Sequence, residues 1–113
     1  MDKLTEYPKL LKHILAEHVE ICRRQPVRGI ETYLIADDAL SDYVWINIGW
    51  QSDDRVCAIT SFIRIRDGKF LIEEDWTEDG IASDLLRAGV PREDIVLAFH
   101  ELEMQPYASL AAA

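Results

Sequence analysis

Apolar residues first recur along the chain at a helical spacing. Leu4, Tyr7, Leu11, Ile14, His18 and Cys22 fall on one stripe, and Leu10, Leu15 and Val19 widen it. The spacing predicts a helix over residues 4–23. Pro8 leaves two readings of its start. With Thr5 as N-cap the proline lies in the first turn, where its missing N–H is harmless. With a start at Asp2 it kinks the helix. Pro26 and Gly29 close the segment.

The period then changes to two. Residues 30–36 are rich in β-formers. In residues 43–50, Val44, Ile46, Ile48 and Trp50 face one way, and Tyr43, Trp45, Asn47 and Gly49 face the other. After the polar turn at residues 51–54, residues 56–66 alternate again, which puts Cys57, Ile59, Ile63 and Ile65 on one face. Asp67-Gly68 is a strong hairpin signal, and residues 69–74 return as the partner strand. Ile81, Leu85 and Leu86 restore the helical period, with Gly89 as the C′ residue. A turn over residues 90–94 leads into a short buried strand over residues 95–99. The order α-β-β-β-β-α-β predicts an antiparallel meander with two helices over its amphipathic face. We therefore expect one α+β domain over residues 1–113.

Composition narrows the function. The chain has 113 residues, is about half hydrophobic and carries a net charge of −9. Such a chain can build a core. Its acidity makes strong unaided binding to nucleic acid improbable, since that binding draws on lysine and arginine. It suits a basic partner better. Cys22 and Cys57 are too few for a disulfide framework, so two reduced thiols and a cytoplasmic setting are expected. No apolar run is long enough for a signal peptide or a membrane span.

The candidate chemistry is sparse. The stretch DWTEDG, residues 75–80, lies in an acidic cluster with Glu73 and Glu74. Hard cations take clustered carboxylates, but the spacing is not that of an EF-hand loop, and neighbours on a strand point apart. The favoured reading is structural: Thr77 caps the second helix, and Glu78 and Asp79 sit in its first turn. Trp76 is read as a core plug, with an aromatic anchor as the alternative. Trp45, Trp50 and Trp76 are the candidates for a partner interface. His18 and Cys22, four apart, could touch one metal ion, but nothing nearby completes a zinc set, so both are read as core residues. His13 and Glu17 form a solvated pair. His100 could be a general base, but no nucleophile accompanies it.

No Walker loop, GxGxxG, GxSxG or HExxH occurs. Arg23, Arg24 and Arg28, or Arg64 and Arg66 with Lys69, are weak candidates for touching phosphate, and solvated or ion-paired faces are the better reading. No catalytic, metal-binding or cofactor-binding residue is assigned.

The run DGKFLIEEDWTEDGIASDLLRAGVPREDIVLAFH, residues 67–100, resembles the signature region of the XisI-like family, the fdxN element excision controlling factors of cyanobacteria. The matching pieces are the DGK hairpin, the acidic D-x-T-E-x-G-I-A start and the G-V-P-x-E-D-I-V-L-x-F-H end. IGW (Ile48, Gly49, Trp50) and the opening MDKLTEY also fit. The tail QPYASLAAA and Pro8 depart from the pattern. The resemblance implies a role in programmed DNA excision, alongside a site-specific recombinase and a companion XisH-like protein that resembles endonuclease-fold proteins. It implies a controlling factor and supplies no catalytic residues. A non-enzymatic regulatory protein that binds the XisH-like companion is the leading expectation, with self-association through an edge strand as a further option. A DNA-binding accessory factor comes second, and a metal-dependent hydrolase is remote.

Overall fold

The computed structural model describes residues 2–99. Helix α1 (Lys3–Arg24) leads into β1 (Ile30–Asp37), β2 (Asp42–Gln51), β3 (Asp54–Arg66) and β4 (Lys69–Asp75). Helix α2 (Ile81–Arg87), a 3-10 turn (Arg92–Asp94) and β5 (Ile95–Leu97) follow. The sheet runs in the order β1-β2-β3-β4-β5. Its first three pairings are antiparallel, and β5 lies parallel to β4, returned there by α2. The architecture is the expected α+β, with β5 ending two residues earlier than the sequence pattern suggests.

Helix α1 starts at Asp2, whose carboxylate accepts from the Leu4 N–H and the Thr5 hydroxyl, both at 3.1 Å. Thr5 is therefore not the cap, and Pro8 lies inside the helix beyond its first turn. Its missing N–H leaves the Leu4 carbonyl without the usual i+4 donor. The stripe behaves as its spacing requires: Tyr7, Leu11, Ile14, Leu15 and Val19 are buried.

They pack with Ile81, Ala82 and Leu85 of α2 against the inner face of the sheet. That face supplies Tyr43, Trp45, Ile63, Phe70, Ile72, Ile95 and Leu97. The Tyr7 and Phe70 rings lie 4.6 Å apart. The Tyr7 hydroxyl donates to Asp94 at 2.6 Å, and Lys3 Nζ lies 2.9 Å from the same carboxylate oxygen. This buried polar contact ties the start of α1 to the turn before β5.

Strand β3 corrects the expected face pattern. Trp45 pairs with Ser61 but Ile46 pairs with Ile59, so Thr60 is an extra residue in the ladder. This bulge shifts the alternation by one. Ser61 and Ile63 point inward and are buried, while Cys57 and Ile59 lie on the outer face and are exposed. The four residues expected on one face are thus split between two.

The turns follow their chemistry. Asp67 (φ 53°) and Gly68 (φ 72°) both take the left-handed conformation of a type I′ hairpin. At the end of α2, the Val90 N–H reaches the Leu85 carbonyl and the Gly89 N–H reaches Leu86, both at 3.0 Å. Gly89 (φ 96°) is the C′ residue of this Schellman motif, and Val90 and Leu85 are buried beside it. Gly49 is required for a different reason: a Cβ there would lie 1.8 Å from the Gly29 carbonyl oxygen.

Candidate functional site

The DWTEDG stretch is a loop before α2. Helix α2 begins at Ile81, so Thr77 is not its cap, and Glu78 and Asp79 precede its first turn. Asp75 does the capping from a distance. Its Oδ2 accepts from the Ile81 N–H at 2.6 Å, and its Oδ1 accepts from the Thr77 N–H at 3.0 Å. The carboxylate satisfies an orphan donor of the helix and closes the loop, which is the same physical demand as a cap met by a residue six positions back. Among the described residues, no group of three or more His, Cys, Asp or Glu side chains is placed to hold a metal ion.

The three tryptophans occupy three different environments. Trp45 is 6% exposed and belongs to the core, so in this structure it is not available as a surface anchor. Trp50 is 54% exposed on the outer face of β2. Trp76 is 78% exposed, which overturns its assignment to the core. It follows β4 directly, where the chain leaves the sheet, and among the described residues it is anchored by its backbone N–H, to the Thr60 carbonyl at 2.8 Å.

Two surfaces result. The first is the outer face of the sheet. Register places Tyr33 opposite Ile46, Ile35 opposite Val44, Ile46 opposite Ile59, Val44 opposite Phe62 and Ile48 opposite Cys57. Tyr33, Ile35, Trp50 and Ile59 are exposed. Both helices pack on the inner face, so among the described residues no element covers this one. Exposed apolar side chains on an uncovered sheet face make it a candidate interaction surface.

The arginines considered for phosphate contact do not converge. Arg64 Nε and Nη2 both reach Glu73, at 3.0 and 2.9 Å. Arg66 bonds Asp42 at 2.8 Å and the Leu40 carbonyl at 2.7 Å. Arg24 pairs with Glu20 at 3.4 Å. Arg23 donates to the Thr32 carbonyl at 3.0 Å and lies over the Tyr33 ring. Arg28 is exposed in the turn before β1.

The second surface is a cleft of about 380 Å³ between the loop before α2 and the two helices. Trp45 and His18 line it from the core side, Trp76, Glu78 and Asp79 from the loop, and Asp84 and Arg87 from α2. His18 Nε2 is 2.8 Å from Asp84 Oδ2, and Arg87 engages the other oxygen of that carboxylate. The His18 ring stacks on Trp45 at 5.3 Å and 23°. His18 is thus half-buried and paired, not the core residue its stripe suggested. Spacing within one helix could not reveal a partner 66 residues away. The Trp45 indole N–H is the one buried side-chain polar atom among the described residues without a hydrogen-bond partner.

A groove of about 660 Å³, which no sequence signal announced, opens where the sheet outruns α1, beside Cys22, Val27, Thr32, Asn47 and Val56. Cys22 packs against the core, and Cys57 is exposed, both as free thiols. The His13–Glu17 pair forms at 2.9 Å in solvent. His100 lies outside the described residues. No described helix is long and apolar enough to cross a membrane.

Fold and surfaces define a small α+β protein with a helix-covered sheet and one open apolar face. The chain belongs to the XisI protein family, whose profile matches residues 1–112. A crystal structure of a XisI-like protein from Anabaena variabilis is similar, with 32% identity and a TM-score of 0.84, covering 92% of this chain and 94% of that one. The fdxN element excision controlling factor XisI from Anabaena variabilis is also similar, with 34% identity and a TM-score of 0.79 over 90% of this chain and 97% of that one. A comparison with curated proteins finds no match.

Proposed function

We propose that this chain is a non-enzymatic accessory factor in the control of programmed DNA excision, and that it acts by binding a protein partner of the XisH-like kind. The family and its excision-controlling relative support the process. The observation that carries the binding role is the uncovered apolar face around Ile46, with Trp50 at its end. Interface hot spots are enriched in Trp and Tyr, and this face exposes Trp50 and Tyr33. The net charge of −9 and the engagement of Arg23, Arg24, Arg64 and Arg66 by carboxylates and carbonyls favour a protein over nucleic acid as the first contact.

The test is co-expression with an XisH-like protein, tagging one of the two, followed by sizing with light scattering. A complex of fixed stoichiometry is expected, and Trp50→Asp should abolish it without unfolding the chain. Partners that migrate apart at micromolar concentration would remove the proposal. A wild-type dimer of this chain alone, dissociated by Trp50→Asp, would assign the face to a second copy instead.

A further inference from the structure

We infer that the cleft beneath Trp76 receives an arginine side chain from a protein partner. This rests on the reading of the chain as a partner-binding protein, but not on which face carries the main contact. The cleft presents three carboxylates, from Glu78, Asp79 and Asp84, against the one guanidinium of Arg87. Asp84 is already held by His18 and Arg87. Glu78 and Asp79 enter no ion pair among the described residues and line the same opening, so the unmatched charge sits at the mouth. A buried salt bridge would be costly to assemble here, but a rim carboxylate remains hydrated until the cation arrives.

Trp76 supplies the second half of the argument. An indole held 78% exposed gives up the burial that a residue of its size normally gains. Its ring lines the same cleft as the two unmatched carboxylates, and an indole face attracts a cation by its quadrupole. Arginine fits better than lysine, because a planar guanidinium can lie on the indole while its edge donates to a carboxylate in pairs. A hydrated divalent metal ion keeps its water shell and cannot stack flat on the indole. Trp45 forms part of the same cleft wall, is 6% exposed, and its buried indole N–H has no acceptor among the described residues, so a peptide carbonyl that pressed into this wall would satisfy it. The charge of the whole chain steers a basic segment toward this surface.

The three tryptophans make the test direct, because each indole N–H gives its own signal in a ¹⁵N-labelled sample of the full chain. The probe is a capped Gly-Gly-Arg-Gly-Gly peptide. Its controls are the same peptide with citrulline, which keeps the shape and loses the charge, and magnesium chloride. The Trp76 and Trp45 signals should move saturably with the arginine peptide while Trp50, on the opposite face, stays still. Citrulline, or the Glu78→Gln/Asp79→Asn variant, should weaken binding by at least about tenfold, the loss expected for one cation–π contact with its ion pair. The inference is overturned if no saturable shift occurs, if citrulline binds equally well, if the double variant keeps its affinity, or if magnesium alone reproduces the shifts. The titration uses this chain alone, so its failure leaves the co-expression result untouched. A companion that fails to co-purify beside a positive titration would sink only the choice of companion.

Discussion

Replacing Tyr7 by Phe removes a single oxygen from the contact that ties α1 to the turn before β5. Asp94 is 4% exposed there and accepts from the Tyr7 hydroxyl and from Lys3. Burial by itself would push the Asp94 carboxyl up, but the hydroxyl and the Lys3 ammonium outweigh it and hold it below the usual carboxylate range. Burial, and then the bond to Asp94, push Tyr7 up to about 12. Removing one donor from a buried carboxylate costs about 2 kcal/mol near neutrality, within the usual range for a hydrogen bond to a charged group. For a domain of this size that lowers the melting temperature by roughly 10 °C.

The pH dependence separates this account from a simple packing defect. A raised folded pKa gives Tyr7 a stabilisation that is complete below the unfolded value near 10 and is lost as pH climbs toward 12. The wild type should therefore lose about 1 kcal/mol relative to the Phe variant between pH 9 and pH 11, since other tyrosines titrate in both proteins. On the acid side the lowered Asp94 group stabilises above the ordinary carboxylate value, and that contribution is lost as pH falls through its folded value. The variant should accordingly unfold at a higher pH than the wild type. Urea titrations followed by far-ultraviolet circular dichroism at pH 4, 7, 9 and 11 supply all four comparisons. A variant within about 0.5 kcal/mol of wild type at pH 7, or a gap that does not narrow at pH 11, would refute the reasoning.

Other positions give equally specific expectations. Gly49→Ala should destabilise by at least about 2 kcal/mol in the same urea assay, because its Cβ meets backbone at Gly29 and not a movable side chain. Asp75→Ala should cost about 1–2 kcal/mol by losing the bonds to the Ile81 and Thr77 N–H groups, whereas Thr77→Val should cost less if Asp75 is the true cap. Trp50→Asp should leave the melting temperature nearly unchanged while removing the companion, since its side chain lies on the uncovered face. Ellman's reagent should modify the exposed Cys57 promptly and Cys22 slowly, in keeping with their different packing.

Much of this architecture is legible in the chain because its signals are local. The apolar stripe of α1, the alternation in β2, the Asp67-Gly68 turn and the Gly89 stop each depend on residues within a few positions of one another. The failures share the opposite property. Nothing around Thr60 announces a bulge, yet that one residue sends Cys57 and Ile59 to the other face. Thr77 has the chemistry of a cap, but Asp75 reaches the helix first because the loop folds back on it. Trp76 looks like core by size alone, and only the place where β4 ends leaves it in water. The pairing of His18 with Asp84, and hence the cleft, joins two helices that the sequence separates by four of the five strands. The outer apolar face was half visible: the alternation named Ile46, Ile48 and Trp50, but not that both helices would choose the other side.

The contact between Arg23 and Thr32 has a consequence for how the sheet can grow. The Trp50 N–H bonds the Gly29 carbonyl, so alternation turns the backbone groups of Ile30, Thr32, Leu34 and Ala36 away from β2, toward the free edge. Arg23 occupies the Thr32 carbonyl on that edge. A chain that docks as a sixth strand beside β1 must first evict the guanidinium, which also leaves its seat over Tyr33. The arginine sits as a latch on an edge whose Ile30 N–H is also taken, by the Val27 carbonyl, so a docking strand would have to offer Arg23 a better acceptor in exchange.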